Sequence, residues 1–184
     1  LEGGRALAVR LALPVTESEG AVLVTTDSNC EQLMRLYDGE WSRSHTAFVD
    51  CVATDAEAAD LDVAVESVSS PGDLTGIGMA YSTLVERLAR GGVTRARIAV
   101  VSLNSLLVYA DLNTVYRFGH TVAGRVQATD GLGVFFVDPS TREAESVNTL
   151  SQFLDGRVDV RREADGRQLR CRGAVDGPSD WTAF

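Results

Sequence analysis

The chain has 184 residues, 45% of them hydrophobic, with 26 acidic against 17 basic side chains and a formal net charge of −9. That length suits one domain with a sizeable core, and no apolar run is long enough to cross a membrane. All 17 basic residues are arginine, which excludes chemistry that needs a lysine in this chain, such as a Schiff base or a phosphate-loop lysine.

In chain order, residues 1–13 read as a helix with Leu7, Ala8 and Leu11 on one face, stopped by Pro14. Ala21 to Thr25 is a continuous apolar run and reads as a buried strand. Ser28 to Glu31 has capping-box spacing, in which a hydroxyl and a carboxylate satisfy free amides at a helix start. The helix it opens turns Leu33, Met34 and Tyr37 inward and stops at Gly39. Thr46 to Val52 reads as a second strand. Asp55 to Asp62 is acidic and alanine-rich, and Val63 and Val65 begin another short strand. Leu74, Ile77, Tyr81, Leu84, Val85 and Leu88 mark one face of a helix that ends at Gly91 and Gly92.

The stretch from Arg97 to Asp111 opens on an almost unbroken apolar run, which reads as the central strand of a parallel sheet, with any chemistry just past its carboxyl end. Asp111 caps the next helix, on which Val115, Phe118, Val122 and Val126 keep 3-4 spacing. Leu132 to Val137 is a further strand. Ser140 to Glu143 is a second capping box, opening a helix with Val147, Leu150 and Leu154 inward. Residues 157–161 and 168–172 alternate and read as an antiparallel hairpin at a sheet edge. Residues 173–184 read as a tail carrying Trp181 and Phe184.

Cys30, Cys51 and Cys171 are odd in number and form no Cys-x-x-Cys pair, which points to reduced thiols in the cytoplasm. His45 and His120 lack spaced partners and read as structural. Six arginines between Arg157 and Arg172 form either a basic face or a solvated hairpin interleaved with Asp155, Asp159, Glu163 and Asp165. The acidic excess disfavours a phosphate-backbone binder. No nucleophile elbow, Cys/His pair or His-Glu-x-x-His helix is present.

Several stretches carry a family resemblance: Pro71 to Gly78, Arg97 through Tyr109-Ala110-Asp111, Phe118 to Arg125, and Asp138-Pro139 leading to Val147 to Leu150. In these stretches and in the order of its elements, the chain resembles the RecA/KaiC-like ATPases, in particular degenerate KaiC-like proteins of haloarchaea. The resemblance covers most of residues 70–172, with the first third matching mainly by element order. It implies a three-layer α/β/α RecA-like fold over residues 1–172, with a mostly parallel sheet and a C-terminal antiparallel edge hairpin. The first strand and most of the phosphate loop are expected to be missing.

An active member carries a Gly-Lys-Thr/Ser loop end for phosphate and Mg²⁺, a strand-end Asp for the metal, and a carboxylate that orients water. Here Gly3, Gly4, Arg5 and Ala6 stand at the loop end, and Arg5 could still touch phosphate while Ala6 offers no oxygen. Val101 stands at the metal-Asp position, followed by Ser102. Asp27 falls near the water-orienting carboxylate, or else caps a strand end beside Ser28. The resemblance therefore implies a catalytically inactive domain acting as a regulatory or protein-interaction module, with a protein partner or self-association. The alternative is a nucleotide-binding, ATP-sensing or weakly hydrolysing protein using Gly3, Gly4, Arg5, Asp27 and Ser102. No catalytic or metal-ligating residue is assigned, ATP is the one candidate cofactor, and DNA binding is disfavoured by charge.

Overall fold

Strand β1 (Glu19–Thr25) is buried along its whole length and forms the middle of a five-stranded parallel sheet. The computed structural model describes residues 2–37, 42–52, 62–141, 143–164 and 166–184. β2 (Thr46–Asp50) flanks β1 on one side and β4 (Arg95–Val100) on the other, so that Val24 lies opposite Val49 and Val100. β3 (Ala64–Ser67) and β5 (Leu132–Phe135) are the edges, giving the order β3-β2-β1-β4-β5. Apolar runs without alternation belong in such a sheet because both faces are covered by helices.

Helix α1 (Glu2–Ala12) and helix α2 (Cys30–Leu36) bracket β1 in sequence. On their side of the sheet, Val9, Ala12 and Leu33 pack with Leu23, Phe48, Ala99 and Val101. The opposite face is larger. There α3 (Leu74–Arg90), α4 (Leu103–Tyr109), α5 (Leu112–Ala128) and α6 (Ala144–Ser151) contribute Leu84, Leu106, Val115 and Leu150 to a core with Val22, Val49 and Ile98. Two helical layers around one mostly parallel sheet make the expected three-layer α/β/α arrangement.

Four local expectations are corrected. The buried face of α1 is Ala8, Val9 and Ala12, with Leu11 40% exposed; small side chains let the helix approach the sheet closely. The first capping box uses Asn29 and Gln32, not Ser28 and Glu31. The second does not form: Pro139–Thr141 is a 3₁₀ turn, Ser140 is held by the Asp138 carboxylate, and Glu143 precedes α6 without a side-chain cap bond. The apolar stretch after residue 102 is the helix α4, and the middle strand of the sheet is β1, with β4 beside it. The stop at Gly39, most of the acidic segment 55–62, Arg142 and Asp165 lie outside the described residues.

The hairpin is present as β6 (Gly156–Glu163) and β7 (Gly166–Gly173). It forms its own three-stranded antiparallel sheet with β8 (Thr182–Ala183), in the order β6-β7-β8. Its register puts Val158 opposite Cys171 and Val160 opposite Leu169, so one face is apolar. Gly173 joins strand to tail at φ +78, where an added Cβ would stand 2.6 Å from the Asp155 carbonyl; only glycine fits there without strain.

Candidate functional site

In an open parallel sheet, ligands bind beyond the carboxyl ends of the strands, where the connecting loops diverge. Here that rim is built from the first turn of α1 and the segments after β1, β4 and β5. Arg5 leaves α1 and reaches the segment after β1, where its guanidinium lies 2.8 Å from a carboxylate oxygen of Asp27 and donates to the Ser28 hydroxyl at 2.5 Å. The side chains of Arg5 and Asp27 are 22% and 33% exposed. Arg5 Nε is buried with no hydrogen-bond partner among the described residues.

Ser102 sits at the end of β4 as the N-cap of α4. Its hydroxyl accepts from the Ser105 amide, and its carbonyl accepts from the buried Thr26 hydroxyl at 2.9 Å. This bond crosses from β4 to the segment after β1 and seals the floor of the rim. Beyond β5, the Asn104 side chain bonds Asp138 in both directions, to its carbonyl at 2.9 Å and from its amide at 2.8 Å. Gly3 and Gly4 lie within the first turn of α1, not in a loop. A Cβ on Gly3 would stand 2.9 Å from the Arg167 side chain, and one on Gly4 would stand 3.1 Å from the Phe136 ring. Both glycines thus serve the close approach of α1 to the hairpin and to the segment after β5.

Of the five residues singled out from sequence, the structure brings Arg5 and Asp27 into direct contact. Ser102 lies one hydrogen bond away through Thr26, the neighbour of Asp27. Gly3 and Gly4 share the helix of Arg5 but face other elements. Sequence reasoning missed Asp50. This fully buried carboxylate ends β2 and accepts from the amides of Cys30 at 2.6 Å and Val52 at 2.9 Å, so it ties the start of α2 to the sheet. Its signal was an Asp closing the apolar strand Thr46–Asp50, the same strand-end position sought after β4.

The neighbouring thiols are unreactive by placement. Burial, reinforced by the Asp50 carboxylate, pushes Cys30 up to about 12. Burial does the same for Cys51, with Asp50 and Asp73 adding to it, also to about 12. No group of His, Cys, Asp and Glu able to hold a metal occurs among the described residues. His45 exchanges a hydrogen bond with Ser42 at 3.2 Å, and His120 lies against Tyr116 with ring centroids 6.1 Å apart. A cavity of about 750 Å³, lined by Arg43, Thr46, Asp62 and Arg87 among others, lies by the amino ends of β2 and β3, away from this rim. No helix among the described residues is long and apolar enough to cross a membrane.

The sheet and its helical layers make a RecA-like α/β/α fold. Two solved structures share the fold. A KaiC-like protein from hyperthermophilic Pyrococcus horikoshii OT3 superposes with a TM-score of 0.57 at 12% identity, over 90% of this chain and 76% of that one. An uncharacterized protein from Pyrococcus horikoshii, crystallised in complex with an unknown peptide, gives 0.56 at 11% identity, over 93% and 76%. A search of curated proteins finds no match. Residues 2–160 match the family of unknown function DUF7504, and the chain belongs to that family.

Proposed function

We propose that this chain is a RecA/KaiC-like module that works by binding a protein partner and does not turn over nucleotide. The observation that carries the reading is the occupancy of Arg5. Arg5, at the expected phosphate position, is held by Asp27 and Ser28, on a helix whose glycines are packed against Arg167 and Phe136. A phosphate loop works by presenting backbone amides and an uncommitted cation to the ligand, and here the cation is already engaged within the protein. Val101, fully buried, stands where a metal-binding carboxylate would be needed. The unknown peptide in one similar structure belongs to that protein; it supports partner binding here only as a precedent, because a shared fold does not carry function with it.

A second reading, nucleotide sensing, has one observation in its favour. Arg5 Nε is buried and unpartnered, so a ligand oxygen at that point would satisfy it. Thermal unfolding in concentrated KCl, with and without Mg-ATP, separates the two. A ligand at about 100 times its dissociation constant adds about 2.7 kcal/mol, or about 5–11 °C for a chain of this size. The partner-binding reading expects no shift in a sample shown to be folded. A shift that Arg5→Ala removes, or ATP hydrolysis that Asp27→Asn abolishes, would replace it with the second reading.

A further inference from the structure

The six arginines of the hairpin do not all find partners within it. By register, Arg157 faces Arg172, Asp159 faces Arg170, and Arg161 faces Gln168, so these side chains share the polar face of the second sheet. Asp159 is the acceptor for three of them: its carboxylate is approached by the Nε of Arg157 at 2.5 Å, of Arg170 at 3.0 Å and of Arg172 at 3.1 Å. One carboxylate offers about four lone-pair sites, while three guanidiniums bring about fifteen N–H donors. All three reach Asp159 through Nε. Arg161 is engaged by Gln168 and Glu163 and Arg170 lies over Trp181, whereas no hydrogen bond holds the terminal amino groups of Arg157 or Arg172 among the described residues. Those ends are the fork that grips a second carboxylate in bidentate fashion.

Two further features give the face a direction. Among the described residues β6 pairs with β7 alone, which leaves the other side of an eight-residue strand without a neighbouring strand and open to pairing. At the far side, Trp181 lies under two guanidiniums, with Arg161 4.2 Å and Arg170 4.4 Å from its ring centroid. These cation–π contacts spread the arginines across the sheet. They also occupy the aromatic surface on which a nucleobase would stack. The sequence from Gly156 to Gly173 carries six arginines and three acidic residues, in a chain of net charge −9. A basic patch on an acidic protein attracts a short acidic segment, while the overall field opposes a long polyanion.

We propose that the polar face of β6, β7 and β8 is a docking surface for an extended acidic segment of a partner protein, laid along the open edge of β6 with its carboxylates on Arg157 and Arg172. Main-chain pairing supplies affinity, and alternate acidic side chains supply specificity. The inference rests on the partner-binding reading above, but the ATP experiment interrogates a different place. Failure of peptide binding without any ATP response removes this surface and leaves that reading standing.

The test is fluorescence anisotropy of a labelled Glu-Val-Glu-Val-Glu-Val-Glu peptide with the full 184-residue chain, against the same peptide with glutamine for glutamate. The acidic peptide should bind more than tenfold tighter at low salt and lose that advantage as salt rises. Arg172→Gln should weaken it about threefold to fivefold. Asp159→Asn should strengthen it, because the internal competitor for the arginines is gone; a purely structural Asp159 predicts no gain. Arg157→Gln, at a partly exposed position, should weaken binding as Arg172→Gln does and keeps the test decisive if Asp159→Asn does not fold. Equal affinity for the two peptides, tighter binding of a dT oligonucleotide, or no binding at about 1 mM overturns the proposal. So does concentration-dependent self-association that Arg172→Gln abolishes, which would make the occupant a second copy.

Discussion

Glu19 and Arg97 form the most enclosed ion pair among the described residues, with side chains only 8% and 16% exposed. Glu19 opens β1, and Arg97 lies on β4 two residues along from the register partner of Glu19, Arg95. One terminal nitrogen of Arg97 donates to both carboxylate oxygens, at 2.9 and 3.0 Å, and the other donates to the Leu11 carbonyl at 2.9 Å. Glu19 also accepts from the Val15 amide at 2.9 Å. Two strands, the end of α1 and the loop after it meet in this one pair. The hydrogen bond from Arg97 holds the Glu19 carboxyl below the usual carboxylate range, against the opposing effect of burial. A lowered folded value means that the unfolded chain binds the proton more readily. The stability from the pair is therefore present above the unfolded value of about 4.3 and is lost as pH falls through the folded one.

Breaking a fully buried pair from one side costs about 3–5 kcal/mol, and an exposed pair is worth about 0–1 kcal/mol. This pair is enclosed but lies at the amino rim of the sheet, so Glu19→Gln should cost about 2 kcal/mol, lowering the midpoint by about 4–8 °C. Arg97→Ala should cost more, about 3 kcal/mol, because it leaves a buried carboxylate and the Leu11 carbonyl unpaired. Thermal unfolding from pH 7 to pH 3, in strong salt, gives both readouts. The acid limb of the wild-type curve should flatten in Glu19→Gln. A loss below about 0.5 kcal/mol, with an unchanged acid limb, would refute the claim that this pair clamps the amino end of the sheet.

Thiol labelling at pH 8 should be sharply divided. Cys30 and Cys51 are buried and pushed up to about 12, so they should react with a disulfide reagent only on unfolding, while the partly exposed Cys171 reacts in the native state. Two fast thiols in folded protein would contradict the burial of β2 and α2. Gly119→Ala should destabilise by about 1–3 kcal/mol through overpacking, since the new Cβ would meet the Phe153 ring at 2.4 Å where that ring packs on Tyr116 and Phe135. A denaturation midpoint equal to wild type would show that Phe153 moves aside without cost.

The strands were legible because their apolar runs do not alternate, a pattern that only a two-sided core rewards. The starts of α2 and α5 were legible to within one residue, whereas the N-cap of α6 is Glu143, not the Ser140 of the expected capping box. Ser28 and Asn29 are both good caps, and the choice between them was decided by Arg5, which takes the Ser28 hydroxyl from 23 residues away. The phase of α1 was misjudged for a related reason. Leucines at 7 and 11 look like a core face, but the helix lies close against the sheet and buries Ala8, Val9 and Ala12 instead. α4 is hidden inside one long apolar stretch because its start is signalled by Ser102 alone, a residue type equally at home after a strand. β8 has two residues and no periodicity to read, and it is held by pairing with β7 and by Trp181 among arginines. At the site, the identities of Arg5 and Asp27 could be singled out, but their mutual contact depends on the tertiary placement of α1.

That contact bears on how far the rim can act as a ligand site. α1 is clamped at both ends by arginine: Arg97 holds the Leu11 carbonyl at its last turn, and Arg5 ties its first turn to the segment after β1. The outer clamp is weak, since a partly exposed ion pair is worth about 1 kcal/mol or less. An anion at the rim would compete with Asp27 for Arg5, which is what thermal unfolding with Mg-ATP reads. The close packing of Gly4 also fixes the hairpin beside α1, because it brings the helix within 3.8 Å of Val160, measured from an added Cβ. Apolar contact on one face of the second sheet leaves its arginine face outward. The geometry that closes one surface of the fold therefore presents the other.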